Sequence, residues 1–274
     1  MTGSTRERRT GTVLLLLTML FAVLPLLSML SAALQPQGSV PSGISWPSDP
    51  QWHNFADAWR VADISPLLVS SVLLVLGVVP AVALMATMAG YALGQLRIPG
   101  GGIFFVLLLF GLTLPHEATV VPLYHQMRDY GLLNSRLGLV LALIGVFMPF
   151  AVFWMRAHFQ SVPVELSEAA AIDGASRWKS FRHIQVPLAL PAISSMCLLL
   201  FIWTWNNFLQ AIVLIDDPTH RTMSGALLNF VGQYSTDVVL LNAGSLLIMA
   251  PTIVVFLVFQ RQFSKALLAG AVKG

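Results

Sequence analysis

Glu168 to Pro191 reads EAAAIDGASRWKSFRHIQVPLALP, a polar and partly basic interval between apolar stretches that are each long enough to cross a bilayer. Just upstream, Ser161 can cap a helix and Pro163 can occupy its first turn, while Glu165 and Glu168 bring negative charge to its positive end. The run Val164 to Ile172 therefore predicts a short helix. Asp173-Gly174 stops it, because glycine accepts the left-handed backbone that follows a helix end. Ser176 then restarts a second short helix carrying Arg177, Lys179 and Arg182, and Pro187 and Pro191 mark the passage into the next apolar stretch. One compact polar element set between spans is expected to be pushed or read from one side of the membrane. On these features alone an ordinary connecting loop stays open.

Composition settles the setting. Of 274 residues 56% are hydrophobic and 10% charged, against about 25% charged in a soluble domain. Apolar runs fall near residues 13–34, 66–93, 102–123, 137–155, 188–215 and 240–259. Each predicts a transmembrane helix, since roughly 20 residues rising about 1.5 Å each match a hydrocarbon core of about 30 Å. An even number of spans puts both termini on one side. That side holds Arg6, Arg8, Arg9, Arg97, Arg156, Arg177, Lys179, Arg182, Arg261, Lys265 and Lys273, whereas Arg60, Arg128, Arg136 and Arg221 fall on the other. Eleven against four places the termini and the Glu168 segment in the cytoplasm. The net charge of +3 and the pI near 9.4 are thus a topology signal and not evidence for nucleic acid, because the basic residues form no single stripe.

The first run has the look of a signal peptide, with Arg6 to Arg9 before it and Ser31-Ala32-Ala33 after it, but it is too long for one and reads as a retained span. Beyond it, Trp52, Phe55 and Trp59 recur at helical spacing and predict a short helix lying on the outer interface.

Polar residues inside the apolar runs are the candidates for function. LPHEATVVP interrupts the third run, and a carboxylate at that depth is costly unless it faces protein or water, so Glu117 is a pathway candidate. In WTWNNFLQ, Asn206 and Asn207 can hydrogen-bond a polar solute or tie helices together, with Trp203 and Trp205 as packing or interfacial residues. Residues 216–239 are long for a turn and polar on the outer side, with Gln233, Tyr234 and Ser235 toward their end. The chain closes on SKALLAGAVKG, a small and basic tail.

Other chemistries lack their residues. No GxxxxGK[ST] phosphate loop occurs, the six histidines show no metal-ligand spacing, and no nucleophile elbow is present, so neither catalytic nor metal-binding residues are expected. The lone Cys197 excludes an intrachain disulfide.

The Glu168 segment resembles the cytoplasmic EAA motif of binding-protein-dependent ABC importer permeases. Glu168-Ala169-Ala170 is followed at that motif's spacing by Gly174, Ile184 and Pro187, with Val186 where leucine is usual. LPHEATVVPLY, GLLNSRLGLVLAL, WNNFL and the terminal GAVKG are similar to the maltose-permease-type subunit of carbohydrate importers. Asn207 stands where that subfamily often has an acidic residue, and Ala266 and Leu268 depart from its tail.

The resemblance implies an all-α integral membrane fold, the type I importer permease, as one transmembrane domain over 1–274 with its cytoplasmic coupling loop at 160–187. It implies a non-enzymatic subunit in a prokaryotic cytoplasmic membrane, importing a sugar or related polyhydroxylated solute. Glycerol phosphate, a polyol or an amino sugar stays open, and a secondary transporter is the distant alternative. The implied partners are a second permease, two ATPase subunits that bind ATP and Mg, an extracytoplasmic solute-binding protein and membrane lipid. Glu168, Ala169, Ala170, Asp173 and Gly174 would dock in the ATPase, Gly270, Lys273 and Gly274 would reach its interface, and the Gln233-Tyr234-Ser235 loop would probe the binding protein.

Overall fold

A computed structural model describes residues 5–41, 43–232 and 236–271, with side chains described between 10 and 260. In chain order the helices are α1 (Thr5–Ala33), α2 (Asn54–Val61), α3 (Ile64–Gln95), α4 (Gly101–Thr113), α5 (His116–Asp129), α6 (Arg136–Ser161), α7 (Glu165–Ile172), α8 (Arg177–Trp205), α9 (Leu209–Leu214) and α10 (Val238–Ala271). Five of them, α1, α3, α6, α8 and α10, are long and apolar enough to cross a membrane. The pair α4 and α5 passes the same test jointly and supplies a sixth crossing if taken as one span. The protein is an all-α membrane protein.

Three boundaries differ from the sequence reading, each for a local reason. The expected span 102–123 is two helices bent by 105°. Leu114 and Pro115 are both extended, because the proline ring clashes with a helical residue before it. The expected span 188–215 ends at Trp205, and α9 resumes after a break at residues 206–208. The second short helix expected after Ser176 does not end before the membrane: it runs into α8 through a π-helical turn at Phe181–Gln185, where the Val186 N–H bonds the Phe181 carbonyl. That wide turn stands immediately before Pro187, whose ring nitrogen has no hydrogen to offer the preceding turn.

The chain divides into two compact units. The first comprises residues 1–65 and 226–250. Here the side-chain amide of fully buried Asn54 donates to the carbonyls of Ala33 and Gln35, and Leu34 O accepts from Gln51 N at 2.9 Å, so the short α2 is fastened to the end of α1. Trp52 stacks on Phe55 and is itself exposed, as an interfacial helix requires. Along α1 the apolar side chains, Phe21 among them, stay exposed within this chain, a surface made for lipid or another subunit.

The second unit comprises residues 66–225 and 251–274. Its core is a seam of α3, α6 and α8 in which Leu74, Val78, Val82 and Ala86 meet Leu139, Leu143, Met155 and Met196. Glycines let α3 and α6 cross closely. A Cβ on Gly90 would lie 2.5 Å from Met155 Cβ and 2.8 Å from Arg156 N. Small residues at such crossings take the place of the missing hydrophobic drive between helices in lipid.

Candidate functional site

Two places in the second unit carry polar chemistry. The first is α7 and its surroundings. Val164 stands at the N-cap with no side-chain bond, and the Ser161 hydroxyl instead donates to the His158 carbonyl, so Ser161 does not cap this helix. Glu165 and Glu168 occupy the first turn as expected. At the other end Gly174 has φ +77°, and its N–H reaches Ala171 O while Ala175 N–H reaches Ala170 O at 2.8 Å. Those two bonds are a Schellman closure, which satisfies the last carbonyls and turns the chain sharply after Asp173. Ser176 then caps α8 by accepting from Lys179 N.

The orientation of α7 follows from which side is covered. Ala170 is buried, whereas Glu168, Ala169 and Asp173 are exposed. Around them Val164, Leu166, Ile172 and Trp178 also face outward, with Ile172 87% exposed. An apolar rim around a carboxylate on a short helix is a surface built for contact.

Beneath this surface the bracing is polar. Gln95, at the end of α3, donates to the carbonyls of Phe159 and Val162, holding the chain as it leaves α6. Gln185, fully buried in the π turn, donates to Ser167 Oγ on α7 at 2.9 Å. An aromatic chain links the same parts, Tyr91 lying 5.6 Å from Phe159 and 4.8 Å from Phe181 between ring centroids. The helix is therefore tied directly to the base of α8, and the link that leads into it is tied to the end of α3. None of Gln95, Ser167 and Gln185 stands out in the sequence, because a lone polar residue near a helix end carries no motif.

The second place is a cavity of about 540 Å³ that brings together Glu117 from the start of α5 with Asn206 and Asn207 from the break after α8. Phe150, Trp203 and His116 line it too. The two asparagines bond locally and do not tie helices together: Asn206 Nδ2 donates to Ile202 O, and Asn207 Nδ2 to Gln210 Oε1. Trp203 presents its ring to the cavity, 4.7 Å from Phe150 between centroids, while Trp205 is buried and stacks on Phe201. A larger cavity of about 770 Å³ adjoins it, sharing Gly111, His116 and Val146 and extending toward Asp129 and Tyr130.

The break that exposes Asn206 and Asn207 is held from outside. Interrupting a helix frees carbonyls that must find donors. Ser224 Oγ donates to Trp205 O and Thr222 Oγ1 to Asn207 O. Ser71 Oγ on α3 accepts from Met223 N at 2.6 Å, and Ser70 Oγ donates to His220 O. Thr222 and Ser224, which brace this break, are residues that a sequence reading passes over. Their signal was polarity close after an unexplained Asn-Asn pair.

In the segment that follows α9, Asp217 Oδ1 accepts from the N–H and hydroxyl of Thr219. Those bonds, assisted by nearby His220 and Arg136, hold its carboxyl below its ordinary value. Gln233, Tyr234, Ser235, Lys273 and Gly274 lie outside the described residues, and Gly270 falls within α10. Among the described residues no three His, Cys, Asp or Glu are grouped to share a metal.

Comparison with known proteins places this arrangement. The model of the family described as "Binding-protein-dependent transport system inner membrane component" matches residues 86–268, which include α7, the cavity and the segment that follows α9. A diacetylchitobiose uptake system permease of Streptomyces coelicolor is 30% identical over 260 residues, covering 94% of this chain and 86% of its own. A trehalose transport system permease of Mycobacterium tuberculosis is 33% identical over 256 residues, 93% of each chain. A melibiose/raffinose/stachyose import permease of Bacillus subtilis is 29% identical over 271 residues, 98% of each. In fold, the chain is similar to a bacterial ABC transporter involved in the import of the acidic polysaccharide alginate, with a TM-score of 0.77, 24% identity and coverage of 96% and 99%. The chain belongs to the binding-protein-dependent transport system inner membrane components, the membrane permeases of ABC importers.

Proposed function

We propose that this chain forms half of the transmembrane path of an ATP-driven importer for a sugar or a related polyhydroxylated solute. A second permease of the same family supplies the other half. Two ATPase subunits on the cytoplasmic face bind ATP and Mg, and an extracytoplasmic protein delivers the solute. The observation that carries the reading is α7: an exposed helix with an apolar rim, bonded from beneath to the base of α8, with the link leading into it bonded to the end of α3. Saccharide permeases among the relatives support the solute class.

In this reading the termini are cytoplasmic and α7 docks on an ATPase. Glu168 meets a basic group there, and Ala169 lets the backbones come close. When the ATPases close on ATP, α7 is carried with them. The Gln185 to Ser167 bond and the Gln95 contacts pass the displacement to α8, α3 and α6, and the cavity opens to the outside. ATPases that bind the two states with different affinity supply the driving force, as any population shift requires. Solute then enters past Glu117, Asn206 and Asn207. The outer segment 216–239, with Gln233, Tyr234 and Ser235, engages the binding protein, and Gly270, Lys273 and Gly274 reach the ATPase.

Purification of the chain alone and of the assembled complex tests the reading. In liposomes the chain alone should neither hydrolyse ATP nor move solute, and the complex with its binding protein should do both. Robust ATP hydrolysis by the chain alone would contradict it.

A further inference from the structure

The wall chemistry of the 540 Å³ cavity narrows the solute beyond the reading just given, on which this inference rests. We propose that the cavity selects uncharged pyranosides and rejects uronates, with Trp203 as the stacking platform and Glu117 as the charge filter.

Three features of the wall point the same way. The ring of Trp203 lines the cavity with Phe150 set edge-on against it, centroids 4.7 Å apart and planes at 69°. Phe147 also packs against Trp203, at 5.8 Å between centroids, so two aromatic rings restrict the indole before a ligand arrives. A rigid aromatic face of this kind suits the C–H face of a pyranose, which is apolar and carries small positive charge toward the negative face of the ring. It offers nothing to a small flexible polyol that lacks a ring face.

Beside the platform stand groups that recognise hydroxyls. Glu117 contributes an acceptor-only carboxylate, and Asn206 and Asn207 contribute amides. Apolar walls with a few placed polar groups are the usual constitution of a small-molecule site, and this volume lies within the usual range.

Charge supplies the third feature. Glu117 is the one acidic residue in the wall, and neither Lys nor Arg lines it among the described residues. A uronate brought here would set carboxylate against carboxylate with no Lys or Arg to compensate, the His116 imidazole being the one group in the wall that can carry positive charge. Sharing a fold with an importer of the acidic polysaccharide alginate therefore does not extend to sharing its solute.

The test uses the assembled complex in nanodiscs, held outward-facing with ATP and vanadate, without the binding protein. Saturation-transfer NMR titrations with trehalose, diacetylchitobiose and digalacturonate give dissociation constants and show which ring face is contacted. Wild type should bind at least one of the two uncharged disaccharides through one ring face and bind digalacturonate at least tenfold more weakly. W203A should weaken the uncharged sugar about tenfold or more and abolish the face bias, W203F should recover part of the loss, and E117Q should narrow the discrimination against digalacturonate. Binding of an uncharged disaccharide that is unchanged in W203A, or discrimination unchanged in E117Q, overturns this inference and leaves the importer reading standing. Binding of neither uncharged disaccharide by wild type removes the saccharide reading itself.

Discussion

Gln185 Nε2 donates to Ser167 Oγ at 2.9 Å, and through this bond the π turn at the base of α8 grips the exposed helix α7. Gln185 is fully buried, so truncating its partner leaves a buried amide donor unsatisfied. Ser167→Ala should cost about 1–3 kcal/mol of stability, seen as a lower melting temperature of the complex. Ser167→Ala with Gln185→Leu removes donor and acceptor together and should recover most of that loss. Import per ATP hydrolysed should stay low in both, because the grip is absent in both. Full import in the double variant would show that the bond serves stability alone.

Gly174 closes α7 with φ +77°. A Cβ there meets nothing within 4 Å, but a valine is strained by the left-handed backbone, at a cost of about 1–2 kcal/mol. Gly174→Val should therefore reorient the end of α7, leaving assembly intact while uptake falls at least several-fold. Glu168→Lys should weaken ATPase docking by meeting a basic partner with like charge. Co-purification yields and uptake rates measure the two effects separately.

Close crossing of α3 and α6 makes a sharp pair of stability variants. Gly90→Ala drives a methyl into Met155 and the Arg156 backbone, and overpacking of this kind costs about 1–3 kcal/mol. Gly145→Ala, on α6 with nothing within 4 Å, should be neutral or slightly stabilising. Thermal unfolding of the two purified variants should rank them in that order.

The segment that follows α9 carries a pH dependence. The Thr219 hydroxyl and N–H lower the Asp217 carboxyl below its ordinary value. A group depressed in the folded state stabilises it above the unfolded value and loses that contribution as pH falls through the folded one. Hydrogen exchange at Thr219 should therefore stay slow at neutral pH, relative to the unprotected rate, and lose protection at acid pH below the usual carboxylate range. Asp217→Asn should remove this transition.

Much of the fold was legible because hydrophobic run lengths are long-range signals. The Gly174 turn was legible from a short-range one. Glu117, Asn206 and Asn207 were legible as candidates because polar groups in apolar runs demand a reason, although only the fold brings Glu117 to the asparagines. What escaped were contacts that need geometry. The bend at Leu114-Pro115 lay inside a run that reads as one span. The early end of α8 depends on Thr222 and Ser224 arriving from the outer segment to take the Asn207 and Trp205 carbonyls. The cap assigned to Ser161 failed because that residue finishes α6, where its hydroxyl has a nearer carbonyl in His158.

The central claim is that α7 is the surface through which ATP hydrolysis reaches the membrane helices, and Ile172, 87% exposed on its end, is the place to ask. Ile172→Cys in a Cys197→Ser background, assembled with ATPase subunits carrying single cysteines along their membrane-facing cleft, should form a disulfide with the ATPase. ATP-driven uptake into liposomes should stop while that bond is intact and return on reduction. A complex that imports solute normally yet gives no cross-link from Ile172 to any cleft position would contradict the account.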